Sequence, residues 1–381
     1  MIRCPQHGLR IWTPAVIAAV LLLTFSPAQG RKIITELAQS GKALYEKACA
    51  ACHGVDGTGA PSRLGFDVSP PDFTDCDFAT REAGADWISV AAKGGPVRGF
   101  SRFMPAFGDA LTRSQFQKIL EYIRTFCTNK DWPRGELNLP RPLVTTKAYP
   151  EDELVVTMDV NTHARNSVRT EIIYEQRFGA RNQLELILPY EWAERSDPDG
   201  RKTAWESSVG DIGIGVKRVF YHNLEKGAIL SAGGEVFFPT GDDDEGFGSG
   251  TTIFEPYLAY GQILPADFFL HFQGGLALPL DDENTNEKAF WRGVLGWMFT
   301  TGEHGRTWSP MVEILGSEEM VSGAATNWDV TPQFQVALNR RQHVRLAAGA
   351  RIPMNDKDIR ETEYIVYVLW DWFDGGFFEG W

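Results

Sequence analysis

Two cysteines and a histidine stand in the run Cys49-Ala50-Ala51-Cys52-His53, and their types and spacing suit one piece of chemistry. Cys-x-x-Cys-His supplies two thiols for thioether bonds to the vinyl groups of a haem, and an imidazole for its iron. A redox dithiol is the alternative reading of the same cysteines, and the surroundings favour the haem. Upstream, Glu36–Lys47 reads as a short amphipathic helix with Leu37, Leu44 and Tyr45 on one face and Gly41 as its weak point. Downstream, Gly54, Gly57 and Gly59 let the backbone wrap closely around a ring edge. The motif stands once, so one covalent haem c is expected.

From about Gly41 to Cys127 the chain resembles the class I c-type cytochromes. The resemblance is carried by GKALYEKACAACHGVDGTGAP, by Phe103-Met104-Pro105 and by a closing helix from about Arg113 to Phe126. It implies a small all-α domain in which His53 and Met104 are the two axial iron ligands. A core methionine is the other reading of Met104, but no second methionine lies between Arg31 and Asp131 to compete. His/Met ligation leaves no open position on the iron and favours electron transfer over oxygen chemistry, so an electron carrier is expected rather than an enzyme. Without Met104 a vacant position would permit peroxidase or gas-binding behaviour.

The N-terminus has a basic start (Arg3, Arg10), an apolar run Val16–Leu23 and a small-residue exit Ala28-Gln29-Gly30. That run is too short to span a bilayer and reads as a secretory signal over residues 1–30, with Cys4 lost on cleavage. Export leaves Cys76 and Cys127 beside the haem thiols, and an oxidising compartment favours a disulfide between them; two separate buried thiols are the alternative.

Residues 31–131 are read as the monohaem domain, and Trp132–Pro150 as a proline-bearing linker. Over residues 151–381 the hydrophobic period becomes two. Leu184, Leu186, Leu188, Tyr190 and Trp192 take one face while Glu185, Ile187, Pro189 and Glu191 take the other. Twelve candidate strands follow, near 153–160, 167–178, 182–193, 209–221, 227–238, 252–262, 267–278, 289–300, 307–316, 327–338, 342–352 and 362–373, each about long enough to cross a bilayer at a tilt. Aromatics cluster at their ends (Tyr190, Trp192, Phe237, Phe238, Trp297, Trp370), and an acidic stretch, Gly241–Gly250, suits an external loop. A soluble β-sandwich would show the same alternation with the apolar face inward.

The segments VGDIGIGVKRVF and LSAGGEVFFPTGDDDEGFGSG resemble the outer-membrane proteins grouped as the phenol meta-pathway transporter family, which implies a barrel architecture. Charges on the polar face, among them Glu171, Glu185, Lys217, Glu235, Glu255, Arg292, Glu313, Arg345 and Arg351, either line a solute path or pair into a network that closes a narrow barrel. The net charge of −13 and the lack of a basic stripe argue against nucleic acid.

The expected protein is therefore α + β in two domains, an all-α class I cytochrome followed by an antiparallel transmembrane β-barrel of about twelve strands. An even strand number puts both barrel ends in the periplasm, and the haem domain with them. The expected function is electron transfer between periplasmic redox proteins and an external donor or acceptor. A solute channel with a cytochrome redox plug or docking module is the alternative.

Each thiol forms its own thioether, so Cys49→Ala or Cys52→Ala should lose the normal two-bond attachment. Haem-stained denaturing gels are expected to show little or no covalent haem in either variant, and staining of wild-type intensity would refute the assignment.

Overall fold

A sheet with one apolar and one polar face satisfies both in lipid only by closing on itself, apolar side outward, with no unpaired edge. The structure, a computed structural model, describes residues 40–59, 69–162, 166–196, 202–281, 285–358 and 360–372. The expected signal segment and the first residues of the expected Glu36–Lys47 helix lie outside these residues. Among the described residues no helix is long and apolar enough to cross a membrane. Strands do so instead.

The strands are β1 (Glu153–Asn161), β2 (Ser167–Phe178), β3 (Asn182–Ser196), β4 (Lys202–Val209), β5 (Ile212–Asn223), β6 (Ala228–Phe238), β7 (Ile253–Ile263), β8 (Phe268–Pro279), β9 (Lys288–Trp297), β10 (Phe299–Thr300), β11 (Thr307–Glu319), β12 (Asn327–Ala337), β13 (Val344–Pro353) and β14 (Glu363–Asp371). They make twelve staves. β4 and β5 are successive partners of β3, and β9 and β10 are successive partners of β11. All pairs are antiparallel, and β14 on β1 closes the ring.

The face assignment holds: Leu184, Leu188, Tyr190 and Trp192 are exposed on the outside while Glu185 and Ile187 are buried inside. Two expectations need correction. Phe237 faces the lumen and packs with Val155, Ile173, Ile187 and Tyr367 instead of joining an interfacial belt. The fourth stave was expected to begin at residue 209, yet Lys202–Val209 already pairs with β3. Its side chains from Ala204 to Ser207 are all exposed, so no burial difference imposes an alternation there.

At the break between β4 and β5 the two segments that carry the resemblance meet. Asp211 Oδ1 accepts from Gly241 N (3.0 Å), and Oδ2 accepts from Ser249 N and Oγ (both 2.7 Å). Thr240 Oγ1 donates to Gly210 O (2.8 Å) and accepts from Ile212 N (2.9 Å). Gly-Asp and Pro-Thr-Gly are thus two halves of one loop anchor at the end carrying the longer connections.

Residues 133–152 do not run along the surface. After a 3₁₀ turn, Gly135–Leu137, the chain enters the barrel from the short-turn end. Leu139 packs on Phe269, Val294 and Met311. Leu143 reaches Gly349, where an added Cβ would lie 2.7 Å from its methyl carbon. Gly349 is five residues along β13, about 13 Å of height at the usual rise and tilt, or roughly half of an apolar band about 25 Å tall. The segment then returns, with Lys147, Ala148 and Tyr149 buried, to start β1.

An arginine facing lipid near the midplane of a barrel costs about 2–4 kcal/mol. Leu186→Arg should destabilise by that amount, whereas Glu185→Gln, on the lumen side, should be tolerated better. Fractionation separates barrel from sandwich: the protein is expected in the carbonate-resistant, detergent-extracted membrane as a heat-modifiable band, and recovery as a soluble folded protein would overturn the membrane barrel.

Candidate functional site

The haem motif is built on the crossing of two helices. α1 (Gly41–Ala48), capped by Ser40, lies against α5 (Arg113–Ile123), which opens with a Thr112/Gln115 capping box. At Gly41 an added Cβ would sit 2.0 Å from the Lys118 carbonyl oxygen, so the residue that weakens the helix is the one that lets the two backbones meet. Tyr45 is fully buried beside Tyr122 and Phe126, and its hydroxyl donates to Gly54 O at 2.7 Å. That bond ties α1 to the turn after the short helix α2 (Ala50–His53). Gly54, Gly57 and Gly59 all have positive φ, as the tight wrap requires.

Cys49 and Cys52 are the unbridged thiols among the described residues, one helical turn apart; burial, then the neighbouring Cys52, pushes the Cys49 thiol up to about 11. His53 stacks on Phe73 with centroids 4.8 Å apart. Its Nδ1 is buried with no hydrogen-bond partner, and burial lowers the imidazole to about 4, so the ring is neutral at neutral pH. A neutral imidazole and two free thiols on one turn form the donor set a c-type haem takes. The residues present fit the group.

Met104 lies on the loop between α4 (Gly84–Lys93) and α5. Its carbonyl accepts from Gly95 N at 3.0 Å, and Gly94, at φ +83°, leaves room for that carbonyl. Cys76 and Cys127 are joined by a disulfide, which ties the start of α3 (Cys76–Arg81) to the chain just after α5.

Sequence reasoning missed the seat of this domain on the barrel. Arg81 pairs with Asp152 at the start of β1. Arg98, nearly buried, pairs with Asp86 (2.6 Å) and donates to His304 O (2.8 Å), while His304 Nδ1 lies 2.9 Å from Ser89 Oγ. From the β12–β13 turn, Gln342 donates to Asp86 (3.1 Å), Arg341 lies 4.5 Å over Phe100, and His343 sits between Asp371 (2.6 Å) and Glu82 (3.3 Å). The signal was the polar run Arg340-Arg341-Gln342-His343 in a turn between two strands.

His343 illustrates the electrostatics of the seat. Burial lowers the imidazole, but Asp371 and then Glu82 outweigh it and raise the group well above the ordinary value, so the charged form is held. A group raised on folding contributes fully below its unfolded value, near 6.5, and loses that contribution as pH rises through the raised value; of the two carboxylates, Glu82 is the one that docking brings. Removing one member of a buried charge set costs about 3–5 kcal/mol because its partners are left unpaired. His343→Leu should therefore make the connector around Thr128–Asp131 markedly more sensitive to protease in the folded protein, as should alkaline pH in the wild type. Equal cleavage of both proteins across pH would show that His343 does not hold the domains together.

No curated protein matches this chain. Among solved structures it is similar to the NanC porin (9% identity, TM-score 0.38, covering 57% of this chain and 99% of that one). It is also similar to the KdgM porin (12%, 0.37, 58% and 99%) and to the β domain of the Bordetella autotransporter BrkA (12%, 0.36, 58% and 97%). Residues 36–123 match the family described as "Cytochrome C oxidase, cbb3-type, subunit III", which implies a c-type haem. Residues 145–339, just over half of the chain, match the family described as "Putative MetA-pathway of phenol degradation", and the chain belongs to that family, with a cytochrome domain set in front of its barrel.

Proposed function

We propose that the chain is an electron carrier in which a single c-type haem, bound covalently through Cys49 and Cys52, is held at the periplasmic mouth of an outer-membrane barrel. The observation that carries this reading is the pairing of a haem-ready donor set with a domain fastened to one end of the barrel. When bound, the haem supplies a one-electron couple. His53 offers a neutral ring nitrogen to the iron, Phe73 holds the ring plane, and the Tyr45 hydroxyl fixes the turn that follows. Met104 is the proposed second axial ligand, on a loop whose carbonyl is pinned by Gly95.

The seat lies at the end with the short turns, the end that faces the periplasm in outer-membrane barrels. The lumen beside it is occupied by protein to about mid-height. One haem below an apolar band about 25 Å tall cannot reach the far side alone. Exchange with periplasmic redox proteins is therefore the simplest use of this arrangement, and an external donor or acceptor would need a further partner. Solute passage is the second reading, favoured by membership of a family of barrel proteins. In it the haem domain serves as the docking module while the connector occupies the lumen.

Replacing Met104 by Ala should abolish any sulfur-to-iron charge-transfer band and lower the reduction potential, since thioether ligation raises it. An unchanged spectrum and potential would exclude Met104 as a ligand.

A further inference from the structure

The segment 137–149 is held in the lumen by an unusual contact. The buried Glu313 carboxylate on β11 accepts three successive backbone N–H groups, from Leu143 (3.0 Å), Val144 (3.1 Å) and Thr145 (2.9 Å), and the Thr145 hydroxyl (2.5 Å). Arg292 donates to Val144 O (2.9 Å), Lys217 to Lys147 O (3.0 Å) and Ser231 to Ala148 O (2.5 Å). The backbone polar groups of a loop inside a barrel are thus met by side chains from four different strands.

The charge on this segment is one-sided. Residues 137–149 contain two cations, Arg141 and Lys147, and no carboxylate. Arg141 bridges Glu153 (2.8 Å) and Glu175 (2.9 Å); Lys147 pairs with Glu151 and lies 3.5 Å from Glu153. Glu153, fully buried, keeps one oxygen that accepts no hydrogen bond. Without the segment the lumen wall presents Glu153, Glu175, Glu185, Glu235, Glu255 and Glu313 against Lys217, Arg292, Arg345 and Arg351, of which Arg351 is already paired with Asp329.

We propose that residues 137–149 are an autoinhibitory plug, latched by Glu313, in which Arg141 and Lys147 stand in for a permeant cation, and that its release opens a cation-selective pore. This rests on the solute-passage reading and not on the haem. The segment is also the covalent link to the haem domain, and Arg81–Asp152 joins the two at the plug's return point. Undocking of that domain is thereby the natural trigger for release.

The test uses the full haem-loaded chain in planar bilayers under a KCl gradient, with heat-modifiable migration confirming that each barrel is folded. Wild type should pass less than a tenth of the current of Glu313→Gln, whose reversal potential should fall on the K⁺ side. Equal currents, or a Cl⁻ preference in the variant, would overturn the proposal. Ala148→Cys, at a buried plug position, gives a second measurement. A cationic thiol reagent should label it at least tenfold faster in the Glu313→Gln background than alone, and rapid labelling without that change would show the plug is not closed. Labelling in a silent Glu313→Gln barrel would overturn the solute-passage reading, whereas a silent barrel with residue 148 still protected would overturn the latch itself.

Discussion

The rest of the structure depends on one constraint: a lumen lined by acidic side chains out of water must find counter-charge and donors within the chain. Glu313 meets it with three backbone N–H groups, and Glu153 and Glu175 meet it with Arg141. Charged or ion-paired partners make such bonds about twice as strong as neutral ones, and a buried carboxylate without them costs several kcal/mol. In the closed barrel the connector meets that demand from inside the lumen. Its prolines suit this role, since Pro140, Pro142 and Pro150 have no N–H that would need an acceptor in the lumen.

Placement of the connector then dictates placement of the haem domain. The chain leaves α5, turns at Gly135 against the Arg81 carbonyl, and is committed to the short-turn mouth before it has room to wander. There the domain meets His343, Gln342, Arg341 and His304 on two neighbouring turns and Asp152 at the first strand. Several of these groups are buried and charged, which makes the seat specific and costly to break in part. The Cys76–Cys127 bond ties the helix that carries Arg81 to the chain leaving α5.

Much of this architecture is legible in the sequence. Period-two alternation located nearly every strand within two or three residues, because lipid outside and polar groups inside impose opposite demands on neighbouring side chains. It failed at Lys202–Val209, where both faces are exposed and nothing imposes a pattern, and at Phe237, where an aromatic at a strand end packs inward on other apolar side chains. The Cys-x-x-Cys-His run is legible for a related reason, since the chemistry expected of it requires adjacent residues of fixed type.

By itself the sequence determined that Cys49, Cys52 and His53 stand together on one turn, the strand count and the lipid-facing side of nearly every strand, all properties set by spacing along the chain. Tertiary structure decided what lies between distant positions: that Gly41 is a helix crossing, that a proline-bearing connector is a lumen filling, and that a polar turn near residue 342 is a docking seat. Those facts depend on pairs such as Thr145 with Glu313 or Glu82 with His343, more than a hundred and fifty residues apart. Local periodicity carries no record of such partners, because the energy that selects them arises only when closure of the barrel brings them out of water together.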